Sequence, residues 1–275
     1  SDDVAIGDGG VLDNSSEDTW ASLAKLNWYP AEHHKFTLSR QYNFDYGEVP
    51  AQADQATSAS AVLTDRETEV ILDRLAYEHT DPANNWLNFN GFIYNNDQTI
   101  REKRIGTDGR LDTIDFVTRG IDLKNSAIVS TDTASQRISY GIEIYQDEME
   151  SQKGPQFNPA FPDATGDYLG VFIQDEIELQ DNIILIPGLR YDRYRSEAAF
   201  ASQIGVSSTN DQDQYSPKLG AIYKLTKDLN FSLNLGKGFR APTFQELYIS
   251  GVHFGANNFV PNPDLKAEKL TGSAE

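Results

Sequence analysis

The sequence predicts an all-β fold: an antiparallel transmembrane β-barrel fragment, with about ten to eleven strands of a larger, plugged barrel. Three patterns predict it. Apolar and polar residues alternate with a period of two in many segments, short and long connections alternate down the chain, and aromatic residues cluster near the ends of the alternating segments. Helical periodicity nowhere extends beyond a turn or two, so we do not expect helices to build the fold.

The alternation is clearest in residues 229–236, LNFSLNLG, where every odd position is large and apolar and every even position is small or polar. Such a segment is a strand with one apolar and one polar face, because successive side chains of a strand point to opposite sides. Arg40 and Asp175 interrupt the apolar faces of two other segments. On this basis we place strands near 20–28, 35–44, 68–79, 86–97, 113–125, 135–147, 167–179, 183–195, 214–225 and 229–240, with an eleventh beginning near Lys269.

The connections between these strands alternate between short and long. A transmembrane barrel has short periplasmic turns and long extracellular loops, whereas a large soluble antiparallel sheet with one buried face, the alternative, has no reason to gather its long loops at one end. The short connections are 29–34, 81–85, 126–134, 180–182 and 226–228, and the long ones are 45–67, 98–112, 148–166, 196–213 and 241–268. Aromatic residues that fit an interfacial girdle at strand ends are Trp20, Trp28, Tyr29, Trp86, Tyr94, Tyr191 and Tyr194.

The composition of the 275-residue chain limits its partners and its boundaries. A net charge of −19 argues against nucleic acid as a partner, because neutralising phosphates needs Lys and Arg. The chain has no cysteine, so disulfides and thiolate metal sites are excluded. Its start, SDDVAIGDGG, lacks the basic and apolar parts of a secretory signal. Because the strand pattern is cut at both ends, we expect residues 1–275 to be one partial β-barrel domain, with the plug domain and the remaining strands absent.

Motifs for catalysis are not found. Gly236-Lys237-Gly238 lacks the spacing of a phosphate-binding loop, and neither G-x-S-x-G nor H-E-x-x-H occurs. Asp175 and Glu176 are neighbours on a predicted strand, so their carboxylates point to opposite faces and cannot share a substrate. We therefore expect no enzymatic activity and no catalytic cofactor.

The segment 238–268 combines a predicted rim with a histidine. Pro242 cannot donate a ladder hydrogen bond, which suits the point where a strand ends, and Asn262-Pro263 is a turn signal that returns the chain to the sheet. Between them lies His253, one of 4 histidines in the chain. Neutral imidazole is a good ligand for haem iron, although a solitary loop histidine is more often simply solvated.

Five segments carry a resemblance to a known family. The segments DYLGVFIQDEIEL (167–179), IILIPGLRYDRY (183–194), YSPKLGAIYKLT (215–226), LGKGFRAPTFQELY (235–248) and NPDLKAE (262–268) resemble the barrel of TonB-dependent outer-membrane receptors. The resemblance implies a location in the outer membrane of a Gram-negative bacterium, in contact with lipid and lipopolysaccharide. It also implies coupling to the TonB complex through an N-terminal region absent from these residues.

The arrangement of this segment, with a histidine between two sequence boxes, resembles the receptors for haem and haemoglobin in particular. In that family an FRAP box and an NPNL box flank a loop histidine that is an axial ligand of the haem iron, and a second ligand comes from the plug. The resemblance implies that His253 is this ligand and that haem, possibly from haemoglobin, is the transported cargo. Asp264 departs from the pattern, because the haem-receptor box usually has Asn there. The boxes are Phe239, Arg240, Ala241 and Pro242, and Asn262, Pro263, Asp264 and Leu265.

Two further residues of this segment are candidates for contact with haem. Tyr248 could supply an oxygen ligand or a stacking ring, or it could be an interfacial aromatic residue. Arg240 could pair with a haem propionate, or it could face the lumen and form an ion pair with a carboxylate of the plug.

Three other functions stay open from the sequence. A ferric-siderophore receptor would bind its ligand with aromatic residues and Arg. An outer-membrane barrel without a plug could be an enzyme or an adhesin, and a soluble all-β binding protein is the third. The remaining histidines do not decide between them, because His33, His34 and His79 lie at predicted short turns and are not expected to touch the cargo.

Overall fold

The computed structural model describes residues 4–5, 11–12, 16–50, 62–106, 108–158, 160–179, 182–198, 209–252 and 257–274. In this part of the chain, eleven strands form one sheet in which each strand is antiparallel to the next along the sequence. Among the described residues the sheet is open, and its edge strands are β1 and β11. The strands are β1 (Asp18–Trp28), β2 (His34–Pro50), β3 (Leu63–Thr80), β4 (Asn88–Arg104), β5 (Leu111–Ser130), β6 (Ala134–Lys153), β7 (Ala164–Leu179), β8 (Ile183–Ala198), β9 (Thr209–Lys224), β10 (Asn230–Arg240) and β11 (Glu268–Ala274).

Short elements complete the described structure. Gln156–Phe157 pairs with the end of β6, and Val4–Ala5 pairs with Val11–Leu12. In the connection between β10 and β11, helix α1 (Phe244–Tyr248) is followed by the short pair Gly251–Val252 and Asn258–Phe259. None of the described helical residues form a helix that is long and apolar enough to span a membrane.

Most strands run further into the predicted long loops than the alternation indicates. The prediction placed 45–67 in a loop, yet β2 continues to Pro50 and β3 begins at Leu63. Apolar alternation marks only the part of a strand that has an apolar face, whereas the backbone ladder continues through polar pairs such as Glu48 and Asp65. The predicted turn over 126–134 was also too long, because β5 runs to Ser130 and β6 begins at Ala134.

One face of the sheet, the outer face, is apolar and exposed. Directly opposed residues of neighbouring strands share a face. Leu38 and Ile93 are 56% and 51% exposed, although soluble monomers rarely expose large contiguous apolar patches. Arg40 interrupts this face as predicted, and its guanidinium donates to both carboxylate oxygens of Asp73 at 2.7 and 2.6 Å. One row of the outer face consists of Leu38, Leu75, Ile93, Ile121, Ile144 and Leu169.

The opposite, inner face carries helix α1 at the long-loop end of the sheet. Leu247 and Tyr248 are fully buried there. Burial of these side chains, rather than the propensity of a five-residue helix, holds the segment in place, because isolated helices of this length are not stable in water. The apolar seat of the helix, called the α1 seat below, consists of Met149, Ala164, Tyr194 and Ala198, against which Phe244, Leu247 and Tyr248 pack.

Two aromatic residues predicted for the interfacial girdle belong to the inner face instead. Tyr194 is 8% exposed within the α1 seat and its hydroxyl donates to Asp147. Tyr94 stands across from Gly120 and covers it on the inner side. The prediction was wrong for these two residues because proximity to a strand end does not determine which face a side chain takes.

Gly166 of β7 makes room for the α1 seat. A β-carbon there would lie 2.7 Å from Cζ of Tyr194 and 3.0 Å from Cζ of Phe244. We therefore expect Gly166→Ala to lower the free energy of unfolding by about 1–3 kcal/mol, through displacement of both rings. Urea unfolding followed by tryptophan fluorescence measures this. Gly236→Ala is the matched control, since the nearest heavy atom to its β-carbon would be 3.9 Å away, and equal losses in the two variants would contradict the explanation.

Candidate functional site

A single guanidinium joins the two ends of the connection between β10 and β11. Arg240 ends β10 and stands across from Glu268, the first residue of β11. Its Nε and Nη2 donate to the Glu268 carboxylate at 3.0 and 2.8 Å, and its Nη1 and Nη2 donate to the Glu246 carboxylate at 2.9 Å each. Bidentate pairs of this kind are the strong, geometrically specific ones. Arg240, Glu246 and Glu268 are called the Arg240 clamp below.

The sequence after Pro242 places Glu246 in the clamp. Thr243 caps helix α1: its hydroxyl accepts from the Glu246 amide at 3.3 Å, and the Glu246 carboxylate accepts from the Thr243 amide at 2.8 Å. This reciprocal capping box orients the carboxylate toward Arg240. The hydrogen bonds from Arg240, and then that from the Thr243 backbone, lower the pKa of Glu246 from 4.5 to about 2. The carboxylate therefore stays charged throughout the physiological pH range.

The second box lies on the same support. The Asn262 amide donates to the carbonyl oxygen of Leu247 at 2.8 Å, which ties the box to the end of α1. Asn210 of β9, which is buried, donates through its side-chain amide to the carbonyl oxygens of Pro263 and Leu265 at 2.7 and 3.0 Å. Asp264, the residue that departs from the haem-receptor pattern, is exposed. The structure thus brings both boxes and α1 together at one end of the sheet.

Tyr248 points into the protein in this structure. Its side chain is fully buried, and its hydroxyl donates to the backbone oxygen of Ser196 at 3.2 Å and lies 3.1 Å from the Ser196 hydroxyl. Here it holds α1 against β8. A role as an iron ligand stays a prediction and requires Tyr248 to leave this position.

His253, the predicted axial ligand, lies outside the described residues. The residues before and after it are described: Gly251 stands across from Phe259, and Val252 across from Asn258. The chain therefore leaves and re-enters the described structure at neighbouring points, close to the second box in sequence. Its role as a ligand stays a prediction.

The other three histidines gather at the opposite end of the sheet. His34 and His79 stand directly across from each other on β2 and β3, with ring centroids 4.6 Å apart. His34 Nδ1 lies 2.8 Å from the Tyr77 hydroxyl, and His33 occupies the turn that leads into β2. Each strand end here is a short-turn end, so these histidines are separated from the two boxes by the length of the strands.

A cavity of about 530 Å³ lies beneath the first box, between residues 237–243 and the inner face. On its wall, Arg190 donates to Asp192 at 2.6 Å and to Glu143 at 2.7 Å, and it also donates to the Tyr168 hydroxyl, which in turn donates to Asp192. Nearby, the Asp147 carboxylate accepts from the Thr118 hydroxyl at 2.7 Å. These groups can bind and orient a polar partner.

The sequence analysis missed these wall residues, although a signal for them exists. Tyr168, Arg190 and Asp192 occupy the polar positions of segments that alternate, and period-two parity places all of them on the same face. The alternation could therefore have grouped them as an inner wall. In the part of the chain that the structure describes, no three His, Asp or Glu side chains converge to hold a metal ion.

Comparison with known proteins identifies relatives across nearly the whole chain. A family model described as "TonB dependent receptor-like, beta-barrel" matches residues 8–272. A hemin receptor of Yersinia enterocolitica is 29% identical over 259 residues, which cover 90% of this chain and 36% of that protein. The heme/hemopexin utilization protein C of Haemophilus influenzae (strain 86-028NP) is 30% identical over 203 residues, which cover 68% of this chain and 27% of that protein.

The fold is similar to solved structures as well. A double mutant of the Serratia marcescens hemophore receptor HasR, in complex with its hemophore HasA and heme, superposes with a TM-score of 0.76 at 21% identity. The match covers 95% of this chain and 42% of that chain. At this identity the likeness shows the fold alone. The chain spans about a third of the length of the curated relatives it matches.

The Arg240 clamp predicts a pH dependence of the loop base. Because the pKa of Glu246 is lowered in the folded protein, its stabilising effect is complete above its ordinary value of 4.5 and is lost as the pH falls through about 2. Amide hydrogen exchange of residues 243–249, expressed as protection relative to an unfolded peptide at each pH, measures this loss. In Arg240→Gln the loss is expected to move up toward pH 4.5. Arg193→Gln is the matched control, because it removes another bidentate pair, the one with Asp211, and it should leave the pH at which protection is lost unchanged. An unchanged pH profile in Arg240→Gln would contradict the role of the clamp.

Proposed function

We propose haem uptake across the outer membrane as the function of this chain, which belongs to the TonB-dependent receptor-like β-barrel family. One observation carries the proposal: the two boxes that flank His253 are joined at their bases by the Arg240 clamp and by Asn210, so the histidine belongs to a loop whose ends are held together. The relatedness to a hemin receptor over 90% of the chain supports the same cargo.

The proposed mechanism is capture followed by transport. Extracellular loops receive haem, and a ring nitrogen of His253 binds the iron, since neutral imidazole is a suitable axial ligand. A second axial ligand comes from the plug. The TonB complex then acts on the plug through the N-terminal region and opens a path. Haem is cargo in this mechanism, and no reaction is catalysed.

Arg240 has a defined position in this proposal. It already binds two carboxylates, and haem also carries two. Contact between Arg240 and a propionate therefore requires Glu246 or Glu268 to be exchanged for the ligand. Without that exchange Arg240 supports the loop, and Tyr248 supports it in the same way through Ser196.

The proposal extends to the whole protein and its surroundings. Residues 1–275 form a partial barrel domain of a longer receptor, and the plug and the remaining strands lie outside them. The exposed apolar row of the outer face is suited to lipid, and the ion pair of Arg193 with Asp211, which begins directly across from Leu169 at the end of that row, is suited to lipopolysaccharide. Haemoglobin is the proposed source of the haem, and nucleic acid is not a partner.

His253→Ala tests the proposal in the full-length receptor. Loss of an iron ligand is expected to shift the Soret band of bound haem and to weaken haem binding by at least about tenfold. Absorbance titration with ferric haem measures both. His79→Ala, at the short-turn end, is the control and should leave both unchanged.

If the His253→Ala variant has the same haem spectrum and affinity as the unchanged receptor, His253 is not a ligand of the haem iron. A receptor that transports a ferric siderophore and does not bind haem would establish the alternative function. Growth of receptor-carrying cells on haem or on ferric siderophores as the only iron source separates the two.

A further inference from the structure

A second cavity, of about 360 Å³, lies on the inner face at the long-loop end of β3, β4, β5 and β6. Part of its lining is apolar, with Ile100, Ile114 and Phe161 among the side chains. Ile114 and Phe161 also pack against the cluster that the α1 seat forms with helix α1. The cavity therefore adjoins the side chains that support the loop between the two boxes. The proposed function, as described so far, gives this cavity no role.

The charges of this cavity do not cancel. Glu102 accepts from Arg66 at 2.7 Å, and Asp112 accepts from Arg110 at 2.8 and 2.6 Å, so these two carboxylates are neutralised by arginines. Two cations of the lining remain, Arg104 and Lys153.

The two remaining cations are only weakly paired within the described residues. Arg104 makes one long ion pair, with its Nη1 3.8 Å from the exposed carboxylate of Asp108, which is beyond hydrogen-bonding distance. Lys153 makes no ion pair with any residue that the structure describes. The lining thus carries three cations, Arg104, Arg110 and Lys153, against two carboxylates, and in a chain with a net charge of −19 such a cavity is suited to an anion.

The ladder fixes where the two cations stand. Glu102 of β4 lies across from Asp112 of β5, and Asp112 lies across from Lys153 of β6. Arg104 follows Glu102 by two positions and therefore shares its face. The two cations thus face the cavity from either side of β5.

We propose that this cavity is a subsite for the carboxylate-bearing edge of the cargo. Haem is a flat apolar ring with two propionates on one edge, so its carboxylates fit Arg104 and Lys153 while the ring lies against Ile114 and Phe161. The inference rests on the proposed haem function, and it assigns the contact with propionates to this cavity rather than to Arg240. The subsite recognises carboxylates and does not require iron.

The test compares three probes in the full-length receptor: ferric haem, iron-free protoporphyrin IX, and protoporphyrin IX dimethyl ester, whose carboxylates are blocked. The double variant Arg104→Gln/Lys153→Gln is expected to bind haem and protoporphyrin IX at least about tenfold more weakly and to bind the dimethyl ester unchanged. The retained ester binding shows that the variant is folded. Arg101→Gln/Lys103→Gln is the matched control, because it removes the same charges from neighbouring positions of β4 that point to the outer face.

The outcomes separate this inference from the proposed function. His253→Ala should weaken haem but leave protoporphyrin IX unchanged, so a haem affinity that is unaffected in His253→Ala refutes iron ligation while the subsite stands. Protoporphyrin IX binding that is unchanged in Arg104→Gln/Lys153→Gln, equal weakening of the ester, or equal weakening in the control variant overturns the subsite.

Discussion

The antiparallel ladder is the constraint on which the rest of the structure depends. Because the side-chain period of a strand is two, one register across the strands keeps Leu38, Ile93 and Ile144 on the outer face and Arg190 and Asp192 on the inner one. A slip of one residue would exchange these faces. The inner wall would then present leucines and isoleucines, and the paired charges around Arg190 would stand on the outer face.

The loop base follows from this register. Arg240 and Glu268 form one rung of the ladder between β10 and β11, so their pairing needs no contribution from the loop itself. The loop adds Glu246, which the capping box of α1 places on the same guanidinium, and the second box returns onto α1 and Asn210. The long connection is thus restrained at its ends by the sheet and by α1.

Much of the fold could be predicted from the sequence because the alternation that marks a strand is visible within that strand's own residues. The run 229–236 shows its apolar face directly, and the predicted strand 229–240 is nearly the observed β10. Strand ends were less predictable where the apolar alternation stops before the ladder does, as in β2 beyond residue 44. Tyr191 and Tyr194 illustrate the limit: both lie near a strand end, but they are three residues apart and therefore take opposite faces.

The candidate site was predictable only in part, for a related reason. The boxes are contiguous and could be recognised, whereas the groups that support them come from distant segments. Asn210 contacts a residue 53 positions away, and Arg190 binds Glu143, 47 positions away. No local sequence pattern predicts such pairs, because they form only when the ladder brings distant strands together. The two cations of the second cavity belong to the same class, since Arg104 and Lys153 are on different strands.

The central claim is that a loop held at its base by the Arg240 clamp brings His253 to the iron of haem. A structure of the full-length receptor with haem bound tests it most directly. The iron is predicted to be bonded to a ring nitrogen of His253 while Arg240 remains paired with Glu246 and Glu268. Haem bound with its iron away from His253, or a loop base in which Arg240 has left both carboxylates, would contradict the claim.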